Sequence, residues 1–423
     1  MPSRTDRVRG WCPGALRPMA SGDGLLVRLK LYGGVLDRTA ARAIADLATR
    51  YGNGLIDLSA RANLQIRGVS DSALPALQDA LAVLGLIDEH AEIEAIRNVM
   101  VSPLAGADPS AHLDIRPLLA ALDLRLRTDR ALCALPGKFG FLIDDGGALP
   151  LAPDSADIAF IAESADRFAL HLGGHRAALC AAEDLASVAA CLADGFLRLR
   201  HDDRRMKDLV ARIGVGALLA KSGLRPAPAS DRPRPPARPL LYRALGPLAC
   251  AGAGIPFGRL TVGDLVTLAD LAERAEGDLR LTPWRAILIV GRMVAPTILD
   301  GTGFITAEQD PLRAVAACPG HPACTSGASD TRADAIFLAP AARRLGDGVT
   351  LHVSACPKGC AMAAAAAVTL VATGSGYDVI FDGRAGDPPD AQRVAIADLP
   401  ALFDQRPLSP TSRPDRSKTS TAS

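Results

Sequence analysis

Hydrophobic positions repeat in the same order at two places along the chain. Each repeat contains a glycine turn, apolar residues at helical spacing, a second glycine turn and a short strand pattern. The helical and strand patterns are at Ala40–Leu47 with Leu55–Arg61, and at Leu265–Leu271 with Asp278–Arg285. Asp37 and Asp264 are the acidic residues expected at the two helix starts. This pattern predicts a duplicated α+β unit with pseudo-twofold symmetry; the alternative is two unrelated β–α–β segments that share a period.

A longer segment follows each repeat, at Ala91–Ala220 and at Ala314–Arg393. In both segments, short apolar runs alternate with stretches rich in alanine and leucine, which indicates mixed strands and helices. The apolar runs predict strands at Phe139–Ile143, Ile336–Leu338, Thr350–Val353 and Val368–Ala372.

Proline separates the two halves of the chain. Ser222–Leu240 carries six prolines and four arginines in nineteen residues, which excludes a regular helix and predicts an extended linker. Gln405–Ser423 is polar and aperiodic, which predicts a disordered tail. The predicted boundaries are 1–85, 86–221, 241–305 and 306–404 for four folded segments, 222–240 for the linker and 405–423 for the tail.

Composition places the chain among soluble globular proteins. Apolar residues make up 49% of the 423 residues, and 47 basic against 46 acidic residues give a net charge of +1. This balance gives no electrostatic reason to expect nucleic acid as a partner. The longest apolar run, Ala361–Val368, is too short to span a bilayer, and the N-terminus has no signal-peptide core. We therefore expect a cytoplasmic protein with no membrane partner.

Four of the nine cysteines lie in two short windows, CPGHPAC at Cys318–Cys324 and CPKGC at Cys356–Cys360. In a reducing compartment, clustered thiols are more often metal ligands or redox groups than disulfides. The C-x5-C and C-x3-C spacings fit zinc knuckles poorly and suit the separate corners of a [4Fe–4S] cluster. A structural zinc site and four unrelated buried cysteines remain as alternatives.

The surroundings of the cysteines carry further expectations. A strand should precede Cys356, and an alanine-rich helix should begin near Cys360, where its N-terminus would favour an anionic cluster. His321 and His352 flank the windows and are expected to be structural or neighbouring groups, not iron ligands. The other cysteines are expected to be buried hydrophobes or incidental thiols: Cys12, Cys133, Cys180, Cys191 and Cys250.

The two cysteine windows, preceded by a paired repeat, resemble the sulfite/nitrite reductase superfamily, in which this motif binds a [4Fe–4S] cluster. Within it, the segments Arg9–Lys30, Leu135–Gly147 and His352–Ala361 look most like the precorrin-3B synthases of aerobic cobalamin synthesis. The resemblance runs from Gly24 to about Ala401. It implies an α+β, nitrite/sulfite reductase-like fold: duplicated ferredoxin-like half-domains and two larger α/β segments around a tetrapyrrole cleft.

The resemblance also implies a set of substrate-binding residues, all basic and all in the first half: Arg28, Lys30, Arg61, Arg97 and Lys138. Lys138 matches the first lysine of a pair that sirohaem reductases place around one intervening residue. Gly140 stands at the second position. Because adjacent cations suit reduction of a small anion, this departure argues against that chemistry. Without the family, such basic residues suit a substrate with many carboxylates, with solvated surface charges as the alternative.

The leading interpretation is an O2-dependent hydroxylation of the tetrapyrrole precorrin-3A with lactone formation. The resemblance implies a [4Fe–4S] cluster on Cys318, Cys324, Cys356 and Cys360, and suggests a second, non-haem iron without identified ligands. The resemblance implies NADH as the source of electrons, and because the sequence shows no dinucleotide fingerprint, a separate reductase would deliver them. No catalytic residue is assigned. The alternatives are a sirohaem-dependent sulfite or nitrite reductase and a non-catalytic iron–sulfur or zinc protein.

Overall fold

The computed structural model describes residues 13–220, 224–226, 234–362 and 364–404. The predicted linker falls partly outside these residues, and the predicted tail and Cys12 fall wholly outside them. The chain divides into two compact units, one up to Asp310 and one from Pro311 onward.

The first unit contains two half-domains separated by a larger segment. The first half-domain consists of β1 (Met19–Ser21), β2 (Gly24–Leu29), β3 (Val35–Leu36), α1 (Arg38–Tyr51), β4 (Leu55–Leu58), β5 (Leu64–Val69) and α2 (Leu74–Val83). The larger segment consists of α3 (Ala91–Ile96), β6 (Val99–Val101), α4 (Arg116–Thr128), β7 (Phe141–Asp144), β8 (Ile158–Ala162), β9 (Arg167–Leu172), β10 (His175–Ala181), α5 (Leu185–Leu199), α6 (Met206–Ile213) and α7 (Val215–Leu219). The second half-domain consists of β11 (Arg243–Leu245), β12 (Leu248–Gly254), β13 (Arg259–Thr261), α8 (Val262–Arg274), β14 (Gly277–Leu281) and β15 (Ala286–Gly291).

The second unit has one sheet and two helices among its described residues. Its elements are β16 (Val315–Ala317), α9 (Thr331–Arg344), β17 (Leu351–Ser354), β18 (Ala366–Thr373), β19 (Gly376–Gly383), β20 (Ala391–Val394) and α10 (Leu399–Asp404). In the described part of the chain, no helix has the length and apolar character needed to cross a membrane.

The two half-domains exchange one strand each. The strand order is β1-β2-β5-β4-β13 in the first five-stranded sheet and β11-β12-β15-β14-β3 in the second. Strand β13 of the second half-domain pairs antiparallel with β4, with Leu260 opposite Ile56. Strand β3 of the first half-domain pairs antiparallel with β14, with Leu36 opposite Leu279. The sheets are therefore completed only when both half-domains are present.

Helices α1 and α8 share one hydrophobic core with both sheets, in which Ile44 and Leu268 are fully buried. The side chain of Asp37 accepts a backbone N–H from the first turn of α1, as predicted for a helix start. Helix α8 begins at a different residue from the one predicted. Thr261 is its N-cap, and Asp264, three residues further on, accepts the backbone N–H of Thr261 in a capping box.

Asp57 connects the exchanged strand β13 to the half-domain that receives it. Its carboxylate accepts hydrogen bonds from Arg259 Nε at 2.7 Å and Nη2 at 3.0 Å. It also accepts from Arg67 Nη1 at 3.0 Å, and Arg67 in turn donates to Asp23 through Nε at 2.9 Å and Nη2 at 2.6 Å. The Arg67 side chain is only 3% exposed. Arg67 is therefore part of the scaffold, although it lies near the predicted substrate residues.

The larger segment of the first unit and the second unit contain sheets of the same topology. The first has the order β10-β9-β8-β7-β6 and the second β16-β17-β18-β19-β20. In each sheet the three strands that come first in the chain are parallel, and the last two are antiparallel additions. The predicted α+β class, with duplicated half-domains and two larger α/β segments, is confirmed.

Two local predictions in the second unit are wrong. Ile336–Leu338, predicted as a strand, lies inside α9, whose start is capped by Asp330. The alanine-rich run after Cys360 was predicted to begin a helix. The described residues that follow are turns, and Ala366 starts β18, a central strand that is largely buried. Helix propensity is a weak preference, and in this run the burial of the segment within a sheet overrides it.

Replacing Asp57 with alanine should lower the free energy of unfolding by about 3 kcal/mol, because two largely buried guanidinium groups would lose their shared carboxylate. Denaturant unfolding of the full chain, followed by circular dichroism, measures this change. The matched control is Asp46→Ala, which removes the carboxylate of the exposed Arg50–Asp46 pair on α1. The control should change the stability by about 0.5 kcal/mol or less. Equal losses in the two variants would contradict a structural role for Asp57.

Candidate functional site

Arg28 on β2 and Lys30 directly after it lie on the face that points away from the core. Val27 and Leu29 lie in the shared core, and Arg28 and Lys30 alternate with them. Gln65 of β5 lies opposite Arg28 and accepts a hydrogen bond from its Nη2 at 3.3 Å. The outer face of the first sheet is therefore polar and basic.

A cavity that is open to solvent adjoins the end of β2. Three of the five predicted substrate residues line it: Lys30, Arg61 and Arg97. Asp123 is the acidic residue among the lining side chains, so the described wall has more positive than negative groups. Such a wall favours an anionic ligand. Arg28 and Lys138 are not among its lining residues.

Lys30 is placed at the cavity by α3. Its Nζ donates to the backbone carbonyl of Glu94 and lies 3.4 Å from that of Ala95, both in the last turn of the helix. The carbonyl end of a helix carries partial negative charge, which favours an ammonium group there. The carboxylate of Glu94 accepts the backbone N–H groups of Ala15 at 2.7 Å and Leu16 at 3.0 Å. Burial raises the pKa of Glu94 above its usual range, and these two hydrogen bonds oppose the shift.

Tyr32 is a lining residue that the sequence analysis did not identify. It precedes Gly33 and Gly34, which both have left-handed φ angles, of 63° and 67°, and its side chain is about half exposed. Partial burial, and then the nearby carboxylate of Asp123, raise the pKa of the Tyr32 phenol. Tyr32 therefore presents a neutral hydroxyl and an aromatic ring to the cavity.

Arg61 is held by the hairpin turn between β4 and β5. Ser59 donates its backbone N–H to the carbonyl of Asn63 at 2.9 Å, and Ala62 adopts a left-handed φ of 54°. Arg61 Nη2 donates to the backbone carbonyl of Lys138 at 2.7 Å. The turn and the loop of the larger segment together orient the guanidinium.

The loop that contains Lys138 and Gly140 is fixed by two buried or half-buried polar side chains. Asn98 Nδ2 donates to two of its carbonyl oxygens at 3.2 and 2.9 Å. Asp157 accepts the Gly140 N–H at 2.9 Å and forms an ion pair with Arg205 at 3.0 Å. The Lys138 side chain itself is exposed. Asn98 was missed in the sequence, although it directly follows a predicted site residue.

Gly140 lines the cavity and has room for a side chain. A β-carbon at this position would lie 3.4 Å from the carbonyl oxygen of Asn98 and 3.8 Å from Arg61 Nη1, which are ordinary contacts. The φ angle of Gly140 lies outside the left-handed region. Neither the backbone nor the packing therefore requires glycine here.

Arg97 lies between two carboxylates. Its Nε donates to Asp123 Oδ1 at 2.6 Å, and its Nη1 donates to Asp88 Oδ1. Arg127 contacts the same two carboxylates, with Nε 2.8 Å from Asp123 Oδ2 and Nη1 3.4 Å from Asp88 Oδ1. The side chains of Arg97, Asp88 and Asp123 are 10%, 6% and 13% exposed. These charges are consequently screened little by solvent.

The second half-domain has the same hairpin turn but not the same basic residues. A backbone hydrogen bond of 3.2 Å closes its turn, and Arg285 has a φ of 54°, the value found for Ala62. Because these two residues correspond, Trp284 occupies the position equivalent to Arg61. The counterpart of a predicted substrate residue is therefore an uncharged aromatic side chain.

The same alignment places Gly252 and Gly254 at the positions of Arg28 and Lys30. A β-carbon at Gly252 would lie 1.9 Å from a carbonyl oxygen of the segment before β11. Gly254 exchanges two backbone hydrogen bonds with Ile305, at 2.7 and 3.1 Å. Backbone of the same unit thus covers the second face. The described positions equivalent to Arg28, Lys30 and Arg61 are therefore uncharged in the second half-domain.

In the second unit, the two cysteine windows follow neighbouring parallel strands. Strands β16 and β17 pair in parallel, with Ala317 opposite Val353, so Cys318 and Cys356 lie beyond the same edge of the sheet. The carboxyl edge of parallel strands is a common place for ligand sites. The backbone N–H of Ala355 donates to Cys318 Sγ at 3.2 Å.

Hydrogen bonds join the two cysteine loops to each other. The N–H of Ala328 donates to the carbonyl of Ala355 at 3.2 Å, and Lys358 Nζ lies 3.4 Å from Ser326 Oγ. Cys318 is buried, whereas Cys360 is exposed. The described residues contain no group of three or more His, Cys, Asp or Glu side chains placed to hold a metal ion. The two loops therefore contact each other, but the described thiols are not grouped closely enough to hold one metal ion together.

The two histidines near the windows have different environments. His352 is a fully buried residue of β17, and a β-carbon at Gly359 in the second window would lie 3.5 Å from its Cε1. His321 is exposed in the first loop. His352 therefore packs beneath the second window, and His321 lies at the surface.

The equivalent edge in the first unit has a serine. Ser102 follows β6 as Cys318 follows β16, and the N–H of Asp145 donates to Ser102 Oγ at 2.9 Å. The hydrogen bond from Ala355 to Cys318 Sγ joins the equivalent positions in the second unit. The duplicated sheets thus present the same acceptor position with different chemistry.

Comparisons with known proteins agree with this architecture. The family model for the nitrite/sulfite reductase ferredoxin-like half domain matches residues 17–84 and 247–292, which coincide with the two half-domains. A precorrin-3B synthase from Sinorhizobium sp is 33% identical over 398 residues, covering 90% of this chain and 85% of that protein. The chloroplastic ferredoxin–nitrite reductase of Zea mays is 26% identical over 422 residues, covering 88% and 72%.

A solved structure has the same fold. The NirA protein of Mycobacterium tuberculosis matches with a TM-score of 0.72, covering 90% of this chain and 79% of that one. The sequences are 23% identical, so this match supports the architecture alone.

Proposed function

The chain belongs to the family of precorrin-3B synthases and nitrite/sulfite reductases, and from this membership we propose that it converts precorrin-3A into precorrin-3B with O2. The proposed reaction hydroxylates the macrocycle and closes a lactone from a side-chain carboxylate. One observation carries the proposal: the 33% identity to a precorrin-3B synthase, over 90% of this chain and 85% of the relative. Sulfite or nitrite reduction is the second candidate, because reductases are 25–26% identical over similar lengths.

Arg61 and Lys30 are the proposed primary contacts for the substrate carboxylates. Both line the cavity, and a guanidinium can bind a carboxylate through two parallel hydrogen bonds. Arg28 and Lys138 lie outside the cavity lining, and in this proposal they bind carboxylates that extend beyond it. Arg97 lines the cavity but already contacts Asp88 and Asp123. In the proposal it therefore contributes less charge than its position suggests.

Gly140 favours the hydroxylase over the reductase. The position faces the cavity and has space for a side chain, yet it carries no cation. Reduction of sulfite or nitrite concentrates negative charge and consumes protons at one small ligand, which clustered cations assist. A macrocycle with separated carboxylates needs positive groups around its periphery instead. This distribution of charge supports a tetrapyrrole that acts as substrate.

The proposed cofactor is a [4Fe–4S] cluster held by Cys318, Cys324, Cys356 and Cys360. Two observations fit it: the loops that carry these thiols are hydrogen-bonded to each other, and Cys318 Sγ accepts a backbone N–H, as cluster sulfurs do. When bound, such a cluster supplies electrons one at a time. We assign no ligands to a non-haem iron.

The proposed electron source is a separate protein. Relatives of this chain are named as ferredoxin–nitrite reductases, whose names include their donor. In the proposal, a separate reductase passes electrons that derive from NADH to this chain. The partners are therefore precorrin-3A, O2 and one electron-donating protein.

The purified full chain should convert precorrin-3A in the presence of O2 and a reductant, with label from ¹⁸O₂ in the product. Mass spectrometry of the product measures this, and the anaerobic reaction is the control. A tightly bound chromophore with haem-like bands, together with reduction of sulfite or nitrite, would refute the proposal in favour of the second candidate. Zinc in the purified protein, without iron or acid-labile sulfide, would indicate a non-catalytic protein.

Arg61→Gln should raise KM for precorrin-3A about tenfold with a smaller effect on kcat, because one charge-assisted hydrogen bond to a carboxylate would be lost. Steady-state kinetics measure both parameters, and thermal unfolding verifies the fold. Arg42→Gln is the matched control, since Arg42 pairs with Asp270 on an exposed helix surface. It should leave both parameters unchanged. A large loss of kcat at constant KM would argue against a binding role for Arg61.

Cys356→Ser should abolish the visible absorbance of the cluster and lower the iron content, whereas Cys180→Ser should preserve both. Cys180 is 2% exposed, and burial raises the pKa of its thiol to about 12. At neutral pH it therefore remains a protonated thiol, which does not ligate metal. Absorbance spectra and iron and sulfide analysis of the two variants provide the test. Equal losses would contradict the proposed ligand set.

A further inference from the structure

We infer that Asp88 and Asp123 are specificity-determining residues, which neutralise Arg97 and thereby keep small inorganic anions out of the cavity. The inference deepens the proposed function, because it treats this cavity as the substrate site. It depends on the two carboxylates that contact Arg97, and Asp123 also lines the cavity.

The two carboxylates hold Arg97 from different elements of the fold. Asp123 belongs to α4, and Asp88 to the segment that precedes α3. Arg127, four residues after Asp123 on α4, contacts both carboxylates from the other side. Two arginines and two carboxylates thus contact one another, and their four formal charges cancel.

The low exposure of Arg97 and the two carboxylates makes the neutralisation effective. Asp88 is 6% exposed and Asp123 13% exposed at the side chain, so water screens their fields little. A sulfate or nitrite ion that approached Arg97 would also approach two carboxylates within hydrogen-bond distance of the same guanidinium. Like-charge repulsion of this kind excludes a competing ligand without contacting the preferred one.

The positive charge that remains lies elsewhere on the cavity wall. Lys30, whose Nζ donates to the carbonyl oxygen of Glu94, and Arg61, whose Nη2 donates to that of Lys138, also line it. Gly140 lines it as well and adds no charge. A large substrate can place separate carboxylates at Lys30 and at Arg61, whereas a small anion needs several cations around one point. The cavity is therefore selective for the size of the anionic ligand as well as for its charge.

Removing one of these carboxylates should open the cavity to small anions. Asp123→Asn and Asp88→Asn should each bind sulfate about tenfold more tightly than the parent chain, as expected when a charge close to a weakly screened guanidinium is removed. Isothermal titration of the full chain with sulfate, in a buffer free of other multivalent anions, measures the affinity. Circular dichroism and thermal unfolding verify that each variant is folded.

Two further variants make the test specific. Asp194→Asn breaks an exposed Asp–Arg pair with the same four-residue spacing, on α5, and should leave sulfate affinity unchanged. The double variant Asp123→Asn/Arg97→Gln should lose the gain, because the released guanidinium is absent. Unchanged affinity in both folded single variants, or a gain that persists without Arg97, would overturn the inference.

The result is independent of turnover. Sulfate binding is measured without precorrin-3A, O2 or an electron donor. A gain in sulfate affinity in a chain that does not convert precorrin-3A would support the role of the two carboxylates and refute the proposed function. Conversion of precorrin-3A by a chain whose Asp123→Asn and Asp88→Asn variants gain no affinity would overturn the inference and leave the proposed function intact.

Discussion

The reciprocal exchange of β3 and β13 is the constraint on which the cavity depends. Strand β2 belongs to one sheet and β3 to the other, so the chain must cross between them in the few residues after Leu29. Gly33 and Gly34 make the crossing with left-handed φ angles that other residues rarely adopt. This crossing places Lys30 and Tyr32 at the cavity. The return crossing is anchored by Arg259 on Asp57, so the scaffold and the site share one pair of exchanged strands.

Equivalent positions in the two copies of the fold carry different side chains. Equivalent hairpin turns carry Arg61 in one half-domain and Trp284 in the other, with the same left-handed φ at the following residue. On the outer face of the second sheet, Leu288 packs in one cluster with Leu104. Equivalent edges of the two mixed sheets carry Ser102 in one unit and Cys318 in the other. Duplication supplies the positions, and each copy fills a different subset with reactive or charged groups.

Periodic patterns in the sequence predicted the elements whose determinants are local. The spacing of apolar residues located α1 and α8, and the capping chemistry of Asp37 is contained in a few residues. The strand exchange depends on pairing between segments about two hundred residues apart, such as Leu260 with Ile56, which periodicity does not report. Ile336–Leu338 failed for a related reason: a short apolar run does not distinguish a helix from a strand, and on α9 only Leu338 of the three is buried.

For the candidate site, too, the sequence indicated local features but not the contacts between distant residues. The basic residues and cysteines could be identified individually, but the effect of Asp88 and Asp123 on Arg97 requires the tertiary structure. A buried lysine or histidine can lose its proton, whereas arginine keeps its charge at any pH the protein meets. An arginine on a shielded wall can therefore be neutralised only by carboxylates placed beside it. Arg67 meets this requirement with Asp23 and Asp57 in the scaffold, and Arg97 meets it at the cavity. The same device stabilises the fold in one place and sets the charge presented to a ligand in the other.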